Sequence, residues 1–173
     1  YSNFTGEDLV RFTRQAKNHK FFEQVAFAAP YDVGVLQELK LDMVPGIRAF
    51  SKAPFYASQD SRVKDFVDKY RSRTSLYPSD AAVLAYDSVM MWASIMEATE
   101  AFEGQRLGGR QYSTPFGARF IRSTDHQTNY GIYTGYTEWS NDYGFMVLKD
   151  MKYLPPDKVL RSPGEIAALR NLP

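Results

Sequence analysis

An α/β fold is what the sequence predicts, and three observations carry the prediction. Residues 1–50 alternate strand-like and helix-like segments, an order that implies parallel strands joined by right-handed crossovers. Residues 79–102, SDAAVLAYDSVMMWASIMEATEAF, run through good helix formers without Gly or Pro. The later strand-like stretches come only after two large helices, too far along to be simple neighbours of the first set. That pattern fits a chain that finishes one lobe, crosses to build part of another, then crosses back.

Taken in order, Tyr1-Ser2-Asn3-Phe4 reads as the end of a strand. Thr5-Gly6-Glu7-Asp8 reads as a helix start, with Thr5 as cap and Asp8 three residues on, and Leu9, Phe12 and Ala16 give that helix an apolar face to about Asn18. Phe22 to Ala29, FEQVAFAA, reads as a short buried strand closed by Pro30. Asp32 opens a short helix carrying Val35, Leu36 and Leu39. Gly46 to Phe50 is a second strand, entered through Pro45-Gly46. From Ser58 to about Ser72 an amphipathic helix places Val63, Phe66, Val67 and Tyr70 on one face, and Asp65 and Lys69 can pair at i,i+4.

The SLYPSD turn leads into the long helix, which Ser79 or Asp80 can cap. Its polar residues Asp80, Asp87 and Ser94 fall on one narrow stripe, and the rest is apolar nearly all round, as in a helix buried on most sides. Asp87 and Glu97 interrupt it too much for a membrane span. Gly104 to Thr114 is a Gly-rich polar connection. Gly117 to Arg122 alternates like a strand, and Asn129 to Trp139 is Tyr-rich and β-leaning. Ser140-Asn141-Asp142 is a tight turn before a strand at Gly144 to Leu148. The tail is mostly extended and Pro-broken, with a short helix at Glu165 to Arg170. There is no internal repeat and no low-complexity run.

Composition narrows the function. With 21 Lys and Arg against 20 Asp and Glu the formal net charge is +1, which gives no electrostatic case for nucleic acid or an anionic membrane. Cysteine is absent, which excludes thiol chemistry, disulfides and thiolate metal sites. The first residues do not form a signal peptide, and the chain lacks an initiating Met, as expected of a mature or truncated piece. Two His among scattered carboxylates make no metal spacing, and Gly108-Gly109 lacks the strand–turn–helix context of a phosphate loop, so neither metal nor cofactor is expected.

Ligands of open α/β sheets bind beyond the carboxyl ends of strands. Two such ends are visible, Phe4-Thr5-Gly6 and Pro30-Tyr31-Asp32, and both run into helix N-termini, where free N–H groups and the helix dipole favour an anion. Thr5 adds a hydroxyl, Gly6 lets backbone approach closely, and Tyr31 offers an aromatic face and a phenol. Ser79 and Asp80 could reach the same cleft from the opposite lobe. Each residue has a plainer reading: Thr5, Asp32, Ser79 and Asp80 as N-caps, Tyr31 as packing. His126 beside Asp125 invites a general-base reading, yet no Ser nucleophile sits in a recognisable elbow, and a structural histidine is the simpler account.

The segment FVDKYRSRTSLYPSDAAVLAYDSVMMWASIMEATEAF resembles a helix pair of the periplasmic solute-binding proteins of branched-chain amino acid ABC transporters. NFTGEDLVRFTRQAKNHK, MVPGIRAFSKAPFY and TPFGARFIRSTDHQTNYGIYTGY resemble three further segments of that family, in the family's order over about residues 1 to 155. Lys20 stands where that family commonly has Gly. The resemblance implies two lobes that close on a ligand about a hinge. It implies a protein about twice this length, with residues 1–53 and 142–150 in the second lobe, 54–122 in the first, 123–141 as hinge and crossover strand, and 151–173 as tail. It also implies a periplasmic location, a membrane permease as partner and no catalysis. In that family the two strand-end loops contact ligand, and the second often supplies an acid that grips an amino acid's ammonium. That role falls on Tyr31 or Asp32. If on Tyr31, the ligand is a carboxylate without an α-amine, such as an aromatic acid; if on Asp32, an amino acid fits. The ligand-contact set is then Phe4, Thr5, Gly6, Tyr31, Asp32, Ser79 and Asp80. A sensing domain of the same fold and an α/β hydrolase using His126 are the competing readings. Standing alone, the chain is expected to leave apolar helix surface for a second copy to cover, by swapping or edge pairing.

Overall fold

The computed structural model describes residues 1–99 and 108–170. Helix α1 is Gly6–Asn18, buried along Leu9, Val10, Thr13 and Ala16. The chain then reverses at Lys20, whose φ of 54° is left-handed, into the single turn α2, Phe21–Gln24. The strand expected over residues 22–29 is therefore a helical turn followed by the two-residue strand β1, Ala28–Ala29. The physical reason is local aromatic packing. Phe12, Phe21, Phe22 and Phe27 meet at centroid distances of 5.2–5.8 Å, which holds the segment folded on α1 rather than extended. Residues 1–4 are not strand either, although Ser2 N–H donates to Ala28 O at 2.9 Å and so runs beside β1.

Helix α3 is Val33–Leu39, with Asp32 as its N-cap. Strand β2, Arg48–Ser51, pairs parallel with β1, as the βαβ order predicts. Helix α4 is Ser61–Thr74, capped by Asp60, and Lys69 pairs with Asp65 at 2.7 Å. Helix α5 is Asp80–Thr99. Its expected continuation to Phe102, and the connection from Gly104 to Leu107, lie outside the described residues. Strands β3, Arg110–Thr114, and β4, Gly117–Ile121, form a separate hairpin. Strands β5, Ile132–Ser140, and β6, Phe145–Leu154, complete the first sheet in the order β1-β2-β5-β6. β5 runs antiparallel to β2 and β6 antiparallel to β5, so the sheet is mixed. The register slips between Thr134 and Tyr136, where Gly135 lets the strands touch: a Cβ there would stand 2.5 Å from Lys149 O. Two short helices, α6 Pro156–Val159 and α7 Pro163–Arg170, end the described chain.

The main core joins Leu9, Val33, Leu36, Leu39 and Ala49 to Val63, Val67 and Val83 and to Phe145 and Leu148. Each fully buried aliphatic side chain here contributes about 1.5–3 kcal/mol of transfer free energy. A smaller cluster of Ile95, Tyr112 and Ile121 holds the far half of α5 to the hairpin. Helix α5 departs from expectation in its orientation. Asp80 and Asp87, on the stripe expected to be its polar edge, are buried at 5% and 0% exposure, while Val89 and Trp92 are 62% and 48% exposed. The carboxylates point inward because distant groups supply their hydrogen bonds. Asp87 Oδ2 accepts from Arg119 Nε at 2.7 Å and from the Tyr130 hydroxyl at 2.6 Å, and the guanidinium lies 4.2 Å from the Tyr130 ring centroid.

Candidate functional site

The carboxyl ends of β1 and β2 open on a cleft of about 450 Å³. Thr5, Asp32, Ser51, Lys52 and Asp80 form its polar side, and Tyr1, Phe50, Leu84 and Ile132 its apolar wall. The Tyr1 and Phe50 rings meet edge-on, with centroids 6.0 Å apart. The cleft sits there because β2 ends at Ser51, and the chain must turn away through Lys52–Pro54 before it can start α4.

Asp80 organises this corner. Its Oδ2 accepts from Ser51 Oγ at 2.7 Å, Lys52 N at 2.6 Å and Ala53 N at 3.0 Å, and its Oδ1 from Val33 N at 3.2 Å. One carboxylate thus ties the start of α5 to the end of β2 and the start of α3. Four donors fill its acceptor capacity, so Asp80 shapes the cleft rather than offering it a free charge. Ser79 is the residue that caps α5, accepting from Ala82 N at 3.3 Å, and it packs beside Gly34 instead of lining the cleft.

Asp32 lines the cleft while capping α3. Its Oδ1 accepts from Val35 N at 2.9 Å. Burial raises its pKa above the ordinary carboxylate value, and the neighbouring Asp80 charge adds to that rise against the hydrogen bonds from Val35 and Gly34. The N–H groups of α3 expected to await an anion are therefore taken, Val35 by Asp32 and Val33 by Asp80. Tyr31 points the other way. It is fully buried, its hydroxyl 2.8 Å from Thr13 Oγ1, and desolvation pushes its pKa up to about 12. Of the two residues that could have met the cleft, Asp32 does and Tyr31 does not.

Thr5 occupies the N-cap position of α1 without a capping bond from its side chain, and its residue borders the cleft. Gly6 adopts φ of +54°, a left-handed entry into the helix that favours glycine. Phe4 is 49% exposed and packs on Phe12 at 5.6 Å, outside the cleft lining. Tyr1, Phe50, Ser51, Lys52, Leu84 and Ile132 were missed from sequence. Ser51 and Lys52 follow the second predicted strand, so the same strand-end rule applied once more points to them.

The hydrolase reading loses its geometry. Asp125 accepts from Arg122 Nε and Gln127 N, both at 3.0 Å, and so is committed away from His126. Among the described residues, no three His, Asp or Glu side chains gather as metal ligands, and no helix is long and apolar enough to cross a membrane.

Known proteins bear on this geometry in three ways. No curated protein matches the chain. Among solved structures, an amino acid ABC transporter substrate-binding protein from Pseudomonas fluorescens Pf-5 superposes with a TM-score of 0.69 at 18% identity, over 90% of this chain and 44% of that one. A solute-binding protein of an ABC transporter from Rhodopseudomonas palustris HaA2, solved with p-hydroxybenzoic acid, gives 0.70 at 13% identity over 95% and 45%. A leucine-, isoleucine-, valine-, threonine- and alanine-binding protein from Brucella ovis gives 0.66 at 15% identity over 92% and 44%. The chain thus spans under half the length of these structures, and they lend no support to pairing with a second copy. The family model for periplasmic binding proteins, which are solute-binding and not catalytic, matches residues 1–141. The chain belongs to the periplasmic binding protein family.

Proposed function

We propose that this chain forms the ligand-gripping part of an extracytoplasmic solute-binding component of an ABC importer, which captures a small carboxylate and presents it to a membrane permease. Residues 1–53 and 142–150 would belong to one lobe, 54–122 to the other and 123–141 to the crossover between them. The observation that carries this reading is the cleft at the ends of β1 and β2, where Asp32 sits opposite an apolar wall. Asp32 Oδ2 has no protein partner among the described residues, so it is available to a ligand ammonium. Thr5 and the Lys52 ammonium suit the carboxylate of the same molecule, and Phe50, Leu84 and Ile132 suit an apolar side chain. An apolar α-amino acid is the solute that satisfies all three.

A second reading has its own support. The edge-on Tyr1–Phe50 pair makes part of the wall aromatic, and one structural neighbour was solved with p-hydroxybenzoic acid. An aromatic acid would use Lys52 and the rings and leave Asp32 unpaired. Thermal-shift titration of the chain with leucine, phenylalanine and p-hydroxybenzoate, on wild type, Asp32→Asn and Phe50→Ala, separates the two. The amino acid reading expects a rise in melting temperature with leucine or phenylalanine that Asp32→Asn removes. A shift with p-hydroxybenzoate that survives Asp32→Asn but is lost in Phe50→Ala supports the aromatic acid in this cleft; no shift with any of the three counts against both.

A further inference from the structure

A cavity of about 490 Å³, separate from the Asp32 cleft, is lined by Pro54, the start of α4, the β3–β4 turn and the residues around Tyr130. The two share only Lys52. Its walls are aromatic: Phe116, Tyr130, Tyr133 and Tyr153 border it, with the Tyr133 and Tyr153 rings 5.0 Å apart at 49°. The Arg119 guanidinium lies on the Tyr130 ring, 4.2 Å from its centroid, and together they make a flat cationic shelf. Arg119 does not swing freely, because its Nε–H is fixed on the fully buried Asp87 at 2.7 Å. Only one of its five N–H donors is committed there.

The polar inventory is lopsided. The one carboxylate on the lining, Asp60, is held by Arg62 at 2.6 Å and caps α4. The Tyr153 hydroxyl accepts from Gly131 N at 3.1 Å and keeps its own proton to give. The Lys52 ammonium, the Gln59 amide and the Tyr133 hydroxyl have no protein hydrogen-bond partner among the described residues. Donors therefore outnumber free acceptors. Asp87 offsets Arg119, so the uncompensated charge is that of Lys52, one positive unit.

We propose that this cavity is a second ligand site, suited to a planar aromatic monocarboxylate. Arg119 and Lys52 take the carboxylate, and the ring packs against Tyr133 and Tyr153 with their hydroxyls as further donors. A flat cationic shelf beside closely spaced rings selects for a planar anion, and the net charge selects for a single carboxylate. Lys52 borders both cavities and its ammonium serves one carboxylate at a time, so the sites share that cation, while Arg119 and the Tyr133–Tyr153 pair belong to this one alone and do not rest on the Asp32 cleft holding an amino acid.

Benzoate, benzamide and cyclohexanecarboxylate, titrated into the 173-residue chain with its Tyr and Phe ring signals followed by NMR, test this. Benzoate is expected to move Tyr130, Tyr133 and Tyr153, while benzamide, lacking charge, and cyclohexanecarboxylate, lacking the flat ring, bind at least about fivefold more weakly. Arg119→Lys should weaken benzoate about tenfold, since Lys keeps the charge for Asp87 but loses the planar fork. Tyr133→Phe, which removes a hydroxyl without a protein partner and should fold normally, is expected to weaken it about threefold. Asp32→Asn should leave the titration unchanged. The proposal fails if benzoate moves only Tyr1 and Phe50, if Tyr133→Phe binds as wild type, or if either control ligand matches benzoate.

Discussion

Helix α5 serves two regions with two buried aspartates, and the regions are not built alike. At its start Asp80 receives four hydrogen bonds from two segments of the sheet body, where the main core is large and continuous. Two turns further on, Asp87 receives two, both on Oδ2, from Arg119 and Tyr130, and its Oδ1 has no hydrogen-bond partner among the described residues. Around the far half of α5 the buried cluster among the described residues is Ile95, Tyr112 and Ile121. A buried carboxylate is tolerated where backbone donors surround it, and where they do not, an arginine has to be brought in to neutralise it. In the sheet body the polar and apolar contacts coincide; at the hairpin end the buried charge is met by one arginine beside a small apolar cluster.

This contrast can be broken by mutation, most strongly at Asp80. Asp80→Ala leaves four donors without an acceptor and should cost about 4 kcal/mol in chemical denaturation, unfolding the sheet body as a unit. Asp87→Asn is expected to cost about 2 kcal/mol, because it leaves Arg119 half-buried without its counter-charge but also removes the orphan carboxylate oxygen. A loss at Asp87 equal to or above that at Asp80 would reverse the comparison. Gln37→Ala removes a reciprocal pair inside the sheet body, Gln37 Nε2 to Tyr77 O at 3.3 Å and Tyr77 N to Gln37 Oε1 at 2.7 Å, and should cost about 1 kcal/mol.

The smallest effect is one of pH. Burial raises the Asp32 pKa, so the folded state holds this proton more tightly than the unfolded chain does. Its favourable contribution is complete below the unfolded carboxylate value and is lost as pH rises through the folded value. Wild type should therefore lose stability relative to Asp32→Asn as pH climbs out of the ordinary carboxylate range, with Asn still able to cap α3. Parallel stability curves for the two proteins would show that Asp32 titrates normally.

Much of the frame was legible in the sequence. The parallel pairing of β1 with β2 followed from segment order, and α1, α3, α4 and α5 start within a few residues of where their caps and apolar spacing put them. What escaped was set by contacts far along the chain. Nothing near Asp80 or Asp87 announces the donors that turn their stripe inward, since those lie at Val33, at Ser51 to Ala53 and at Arg119 and Tyr130. The segment 22–29 has a composition that suits a strand, and four phenylalanines closing on one another overrode it. At the site, Asp32 and Tyr31 are adjacent in sequence and only burial separates their roles, Tyr31 facing Thr13 and Asp32 facing the cleft. β6 proved longer than its Gly-bounded pattern, running to Leu154 because β5 pairs with it again beyond the register slip, from Lys152 to Leu154.

The Asp80 carboxylate also bears on the order in which the chain assembles. Its partners lie 27 to 47 residues away in sequence, so each bond forms only once α5 has met the end of β2 or the start of α3. Contacts of that separation are expected to form on the downhill side of the folding barrier. Substitutions at Asp80 should accordingly leave the refolding rate almost untouched and appear nearly in full as faster unfolding. On that order of assembly, loss of the carboxylate that fastens the cleft corner shortens the lifetime of the folded protein rather than delaying its formation.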